Sequence, residues 1–206
     1  RNYPEAIDWF GRALQARPDD ATAHCNLGNA LRGFHHPQDA IAGYDAALRL
    51  DPNLVDAHVN RGHALRDLGR LEEAVVSYDA ALRLAPDQID ALLQRANVLL
   101  RLRRLVDTVT GYGQVLQLAP HHLDALVNRG NALQALMRHD QALAAYERAL
   151  ALRPASADAL NNRAAALQEL KRHDEALASF DAALADQQRG QPHAFGGAAM
   201  AALNLC

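Results

Sequence analysis

The chain has 206 residues, half of them apolar and only 5% aromatic, so a sizeable core is available to a composition rich in alanine and leucine. A formal net charge of −3 offers no basic surface to nucleic acid or an anionic membrane, and the two cysteines, Cys25 and Cys206, stand at opposite ends and suggest no disulfide framework. No apolar run reaches the roughly 18 residues of a membrane-spanning helix.

The chain opens on Arg1 without a charged-then-apolar leader and reads as a piece of a longer, cytoplasmic protein. Residues 1–20 supply one helix. A 34-residue unit then begins, with a first helix over Ala21–Phe34 and a second over Gln38–Leu50. The unit 21–54 repeats as 55–88, 89–122, 123–156 and 157–190. Its step is carried by Pro18, Pro52, Pro86, Pro120 and Pro154, and by the aromatic column Phe10, Tyr44, Tyr78, Tyr112, Tyr146 and Phe180. Ala13, Ala47, Ala81, Val115, Ala149 and Ala183 keep the same phase. Within each unit apolar side chains recur three and four apart, the spacing of an amphipathic helix. Each proline ends a second helix, because it donates no backbone hydrogen bond and turns the preceding residue away from helix. Asp56, Asp90, Asp124 and Asp158 then fall in the first turn of the next helix, where a carboxylate meets the positive end of the helix dipole.

Gly28, Gly62, Ala96, Gly130 and Ala164 form a further small column, read here as the place where a neighbouring helix backbone crosses closely. Gly111 and Gly113 lie mid-helix in the unit that also carries Thr108 and Val115, so that unit is expected to be the loosest. Past Leu184 the usual leucine and proline are missing, and residues 191–206 are expected to form an exit helix. One unit cannot bury enough surface to fold alone, so residues 1–206 read as a single all-α array with no interior boundary.

These columns resemble the tetratricopeptide repeat family over nearly the whole chain. The resemblance implies a right-handed superhelical solenoid of helix-turn-helix repeats, with the first helices on its concave side. The family's bulky aromatic near the start of the first helix is replaced by His24, His58, Leu92, Leu126 and Leu160. Its helix-ending glycine survives only as Gly69, with His35, Arg103, Met137 and Lys171 at the equivalent positions. Where that position is left-handed, each lost glycine costs about 0.5–1 kcal/mol.

A polar stripe runs along the first helices: Asn26 and Asn29, Asn60 and His63, Gln94 and Asn97, Asn128 and Asn131, then Asn162 beside Ala165. Three-residue spacing puts the members of each pair on one side. Asparagine is a mediocre helix former, so its recurrence in mid-helix needs a reason. A carboxamide carries an acceptor and two donors, and so matches both the C=O and the N–H of a passing peptide whatever its side chains. Repeats stacked roughly 10 Å apart, against a rise of ~3.3 Å per residue in an extended chain, let one amide hold about every third residue. The expected function is therefore a groove for an extended polypeptide partner. The competing assignment has the same amides bond the adjacent helix and keep the repeats in register.

The asparagine columns also resemble the superhelical repeat region of O-GlcNAc transferases, and the segment His193–Cys206 is similar to what joins repeats to the glycosyltransferase half in bacterial relatives. That resemblance implies a substrate-recruiting region without the catalytic machinery. Other tetratricopeptide proteins clamp a terminal carboxylate with lysines and arginines. The matching positions here are Cys25, Val59, Leu93, Val127 and Asn161, so that mode is disfavoured.

Arg61, Arg95, Arg129 and Arg163 make another column, placed along the seam between repeats. The repeat step pairs Arg61 with Asp45, Arg95 with Asp79 and Arg163 with Glu147, and leaves Arg129 opposite Gly113. The ten histidines complete no four-ligand metal set and read as packing or solvated groups. No nucleophile–base set or phosphate loop occurs, so neither catalysis nor a cofactor is expected. The 34-residue step and acidic charge point away from RNA-reading helical repeats. A lone second helix at the start and a lone first helix at the end suggest head-to-tail self-association.

Overall fold

The computed structural model describes residues 2–190, among which lie eleven α-helices. After α1 (Tyr3–Ala16) the first helices of the repeats are α2 (Ala21–Gly33), α4 (Val55–Asp67), α6 (Ile89–Arg101), α8 (Leu123–Ala135) and α10 (Ala157–Glu169). The second helices are α3 (Pro37–Leu50), α5 (Leu71–Leu84), α7 (Leu105–Leu118), α9 (His139–Leu152) and α11 (His173–Gly190). The last of these runs past the point where a proline stops the others, because Gln188 stands in the proline's place. The expected exit helix, 191–206, lies outside the described residues.

Local chemistry sets the helix ends. The Asp20 carboxylate accepts the Ala23 N–H at 2.9 Å to cap α2, and Ser156 does the same for Ala159 at 3.4 Å. Every first helix ends on a left-handed residue: Gly69 at φ +76°, and His35, Arg103, Met137 and Lys171 at φ 64°, 59°, 60° and 61°. The next residue's N–H then reaches back to close the turn, from His36 to the Leu31 carbonyl and from Arg70 to that of Leu65, each at 2.9 Å. Four non-glycine residues are thus held in a conformation that glycine adopts more cheaply. The second helices stop at Asp51, Ala85 and Arg153, each extended and each immediately before its proline.

The chain divides into two compact units, Arg1–Leu118 and Ala119–Cys206. In the first, each helix from α1 to α6 packs on the next, α6 packs on α7, and α2, α4 and α6 also touch in series to make one wall. In the second, α8 to α11 pack in order and α8 touches α10. Tyr44, Tyr78, Tyr112 and Tyr146 are fully buried, as are Leu65, Leu99, Leu133 and Leu167. Each such side chain removes enough apolar surface from water to contribute roughly 1.5–3 kcal/mol.

The small column makes room for the tyrosine rings, and at Gly28 the backbone of the neighbouring helix also passes close. A Cβ on Gly28 would lie 2.6 Å from the Tyr44 ring, and one on Gly62 2.6 Å from the Tyr78 ring. That backbone belongs to Gly43 of α3, on which a Cβ would meet the His24 carbonyl oxygen at 3.1 Å and the Gly28 Cα at 3.2 Å. Where α6 carries Ala96 in place of glycine, α7 gives up its own side chain: a Cβ on Gly111 would lie 3.1 Å from that of Ala96. Gly113, by contrast, has nothing within 4 Å. Thr108 is fully buried but donates to the Arg104 carbonyl at 2.9 Å, so its hydroxyl is satisfied. Among the described residues no helix is long and apolar enough to cross a membrane.

Candidate functional site

The polar stripe of the first helices splits into two columns that are bonded differently. In the first unit the Tyr44 hydroxyl donates to Asn29 Oδ1 at 2.9 Å and Tyr112 donates to Asn97 Oδ1 at 2.6 Å. In the second, Tyr146 donates to Asn131 Oδ1 at 2.8 Å and shares its proton with Gln134 Oε1 at 3.0 Å. Burial pushes the hydroxyls of Tyr44, Tyr78 and Tyr146 up, so they keep their protons and act as donors. His63 replaces the asparagine in its repeat. Its Nε2 lies 3.1 Å from the Asp90 carboxylate, which only accepts, so Nε2 carries the proton and Nδ1 takes the Tyr78 hydroxyl at 3.0 Å.

These partners lie 15 residues apart in four successive repeats, and the sequence carries their signature. In the fifth full repeat, where the aromatic is Phe180 and lacks a hydroxyl, the residue 15 places earlier is Ala165. Sequence reasoning placed both residues but missed the coupling.

The second column bonds across repeats. Asn162 Nδ2 donates to Asn131 Oδ1 at 3.0 Å, Gln94 accepts from Arg66 at 2.6 Å and donates to Asp90 at 3.3 Å, and Asn60 bonds the buried Cys25 thiol. Burial raises that thiol. Asn26 and Asn128 have no hydrogen-bond partner among the described residues. Within each unit the sequence-placed residues line the first helices, with unequal amounts of unspent hydrogen-bonding capacity.

Charged groups that the sequence reading left out complete the wall of the first unit. Asp67 accepts from Arg32 and Arg66, each at 2.9 Å. Burial raises its carboxyl, but the two guanidinium groups more than offset this and hold it below the usual range. Asp90 is likewise held low, chiefly by the His63 hydrogen bond. A cleft of about 670 Å³ opens between α1, α2 and α4, with Asn26, Asn29, Asn60 and Arg32 on one side and Tyr3 and Phe10 on the other.

On the seam, Arg61 donates to Asp45 at 2.6 Å and to the Ser77 hydroxyl at 2.7 Å, and Arg95 donates to Asp79 at 2.5 Å. Arg163 reaches Glu147 at 3.6 Å and the Ser179 hydroxyl at 2.6 Å. The three expected pairs form, and the serine contacts are additional. Arg129 Nε is buried without a hydrogen-bond partner among the described residues, and burial lowers its guanidinium. His24 and His58, in the place of the usual aromatic, donate from Nε2 to the Pro18 and Pro52 carbonyls at 2.9 Å. Among the described residues no group of three or more His, Cys, Asp and Glu side chains is placed to hold a metal ion. The segment His193–Cys206, expected to resemble the join to a glycosyltransferase half, lies outside the described residues.

Family profiles described as tetratricopeptide repeat match residues 123–156, and 44–76 with 145–178, and one described as TPR repeat matches 2–32 and 62–102. Among solved structures, a MamA protein aligns with a TM-score of 0.80 at 21% identity, covering 85% of this chain and 96% of that one. YrrB, described as a TPR protein with an unusual peptide-binding site, aligns with a TM-score of 0.80 at 24% identity, covering 86% and 92%. MamA from Desulfovibrio magneticus gives a TM-score of 0.76 at 20% identity, covering 82% and 96%. These are likenesses of fold. No curated protein gives a significant match.

Proposed function

The chain belongs to the tetratricopeptide repeat family, and from that premise we propose that it is a protein-interaction scaffold that binds an extended polypeptide against the polar face of its first helices. The observation that carries this reading is the cleft of the first unit, where Asn26 has no hydrogen-bond partner among the described residues and Asn29 and Asn60 keep amide groups to spare. A wall of amides recognises the peptide main chain, so it binds many sequences with modest affinity. Each amide–peptide hydrogen bond nets about 1 kcal/mol, and ordering the peptide takes back several. Micromolar binding follows. The structural likeness to YrrB is compatible with this reading.

The experiment is selection from a random peptide library on the immobilised chain, followed by titration of the best binder against Asn26→Ala and Asn128→Ala. These two amides have no hydrogen-bond partner among the described residues, so the melting temperature should hold while affinity falls roughly fivefold per amide. Failure to select any binder, or unchanged affinity in both variants, removes the reading. Asn162→Ala is a poorer probe, because Asn162 also supports Asn131.

A further inference from the structure

The tyrosines do more than fill the core. Tyr44 and Tyr112 are fully buried, so each hydroxyl proton must find an acceptor inside the protein. It finds the carboxamide oxygen of Asn29 or Asn97. Had the amide been turned over, its NH₂ would face the hydroxyl and the buried proton would lose that acceptor. The tyrosine therefore fixes which end of the amide points inward. The oxygen is spent, and the NH₂ is left on the open side, where Asn29 lines the cleft. Asn131 is turned the same way in the second unit, its oxygen taking both Tyr146 and Asn162.

We propose that this column is a set of N–H donors aimed by the tyrosines, and that it recognises main-chain carbonyl oxygens of the partner peptide. This rests on the reading above that the first-helix face takes an extended peptide. The complementarity is electrostatic: the exposed positive ends of the amide dipoles face the negative ends of peptide carbonyls. His63 breaks the column. Its Nε2–H is spent on Asp90 and its Nδ1 on Tyr78, so the repeat between Asn29 and Asn97 offers no donor. With repeats roughly 10 Å apart and ~3.3 Å per extended residue, Asn29 and Asn97 take carbonyls about six residues apart. The carbonyls between them go unread. The tyrosines act as positioning residues.

The test uses the binder selected from the random library and the full chain. Asn29→Asp and Asn97→Asp keep an oxygen for the tyrosine and lose both donors. Each should leave the melting temperature within a degree or two and weaken the binder roughly fivefold or more, in high salt as in low. A thioamide scan of the peptide should show loss at two positions about six residues apart, because sulfur is the poorer acceptor, and each loss should vanish in the matching aspartate variant. His63→Asn, which restores oxygen-in and NH₂-out geometry, should tighten binding severalfold. A library that yields no binder defeats the peptide reading itself. A binder that tolerates both aspartate variants and every thioamide leaves that reading standing and overturns the donor column.

Discussion

Asn131 Oδ1 receives the Tyr146 hydroxyl at 2.8 Å and Asn162 Nδ2 at 3.0 Å, so one oxygen ties a second helix to the first helix of its own repeat and of the next. Tyr146→Phe removes the buried donor and leaves Asn131 held only by Asn162. The expected loss is about 1 kcal/mol, read from urea denaturation. Asn131→Leu should cost more, since it strands the hydroxyl of Tyr146 and the amide of Asn162 together.

The left-handed ends of the first helices give a prediction of opposite sign. Replacing His35, Arg103, Met137 or Lys171 by glycine should stabilise the chain by about 0.5–1 kcal/mol each, because all four sit at positive φ with the closing turn intact. Gly69→Ala, at φ +76°, should lose a similar amount. A thermal melt of the quadruple variant reads the sum, and an unchanged midpoint would refute it.

Two glycines of α7 should respond oppositely to alanine. Gly113 has open space around it, so Gly113→Ala gains helix propensity and stabilises by up to ~1 kcal/mol. At Gly111 the added Cβ would press on Ala96 at 3.1 Å, so Gly111→Ala should gain less or destabilise. Equal effects at the two sites would contradict the packing described.

Acid should weaken the charged network of the first unit. Asp67 and Asp90 have folded-state values held below the ordinary carboxylate range. Their contribution is therefore present above the unfolded value and is lost as pH falls through the folded one. Both are about a third to a half exposed, so solvent screening limits each to about 1 kcal/mol or less. Asp90→Asn should be less stable than the parent at neutral pH, and the gap should close in acid. A gap that widens in acid would show the sign to be wrong.

Much of this architecture is legible in the sequence because it is local or strictly periodic. Proline, the small residues and the aromatic column recur every 34 places, and helix hairpins follow from that spacing wherever the chain goes next. The seam pairs were legible for the same reason. A constant offset of 16 residues brings Arg61 to Asp45 and Arg95 to Asp79, and fails at Arg129 where glycine interrupts the acids. The tyrosine–asparagine offset of 15 was equally available, with Phe180 and Ala165 as its internal control.

By itself the sequence determined the helices, their repeat and the face on which the amides stand, since these depend on spacing along one chain. Only the tertiary structure decided what each amide does. Among the described residues Asn26 and Asn128 have no hydrogen-bond partner while Asn162 is engaged, and Asn29 is turned oxygen-inward by Tyr44. A carboxamide is chemically two-ended, and which end is spent depends on the buried donor that folding brings against it.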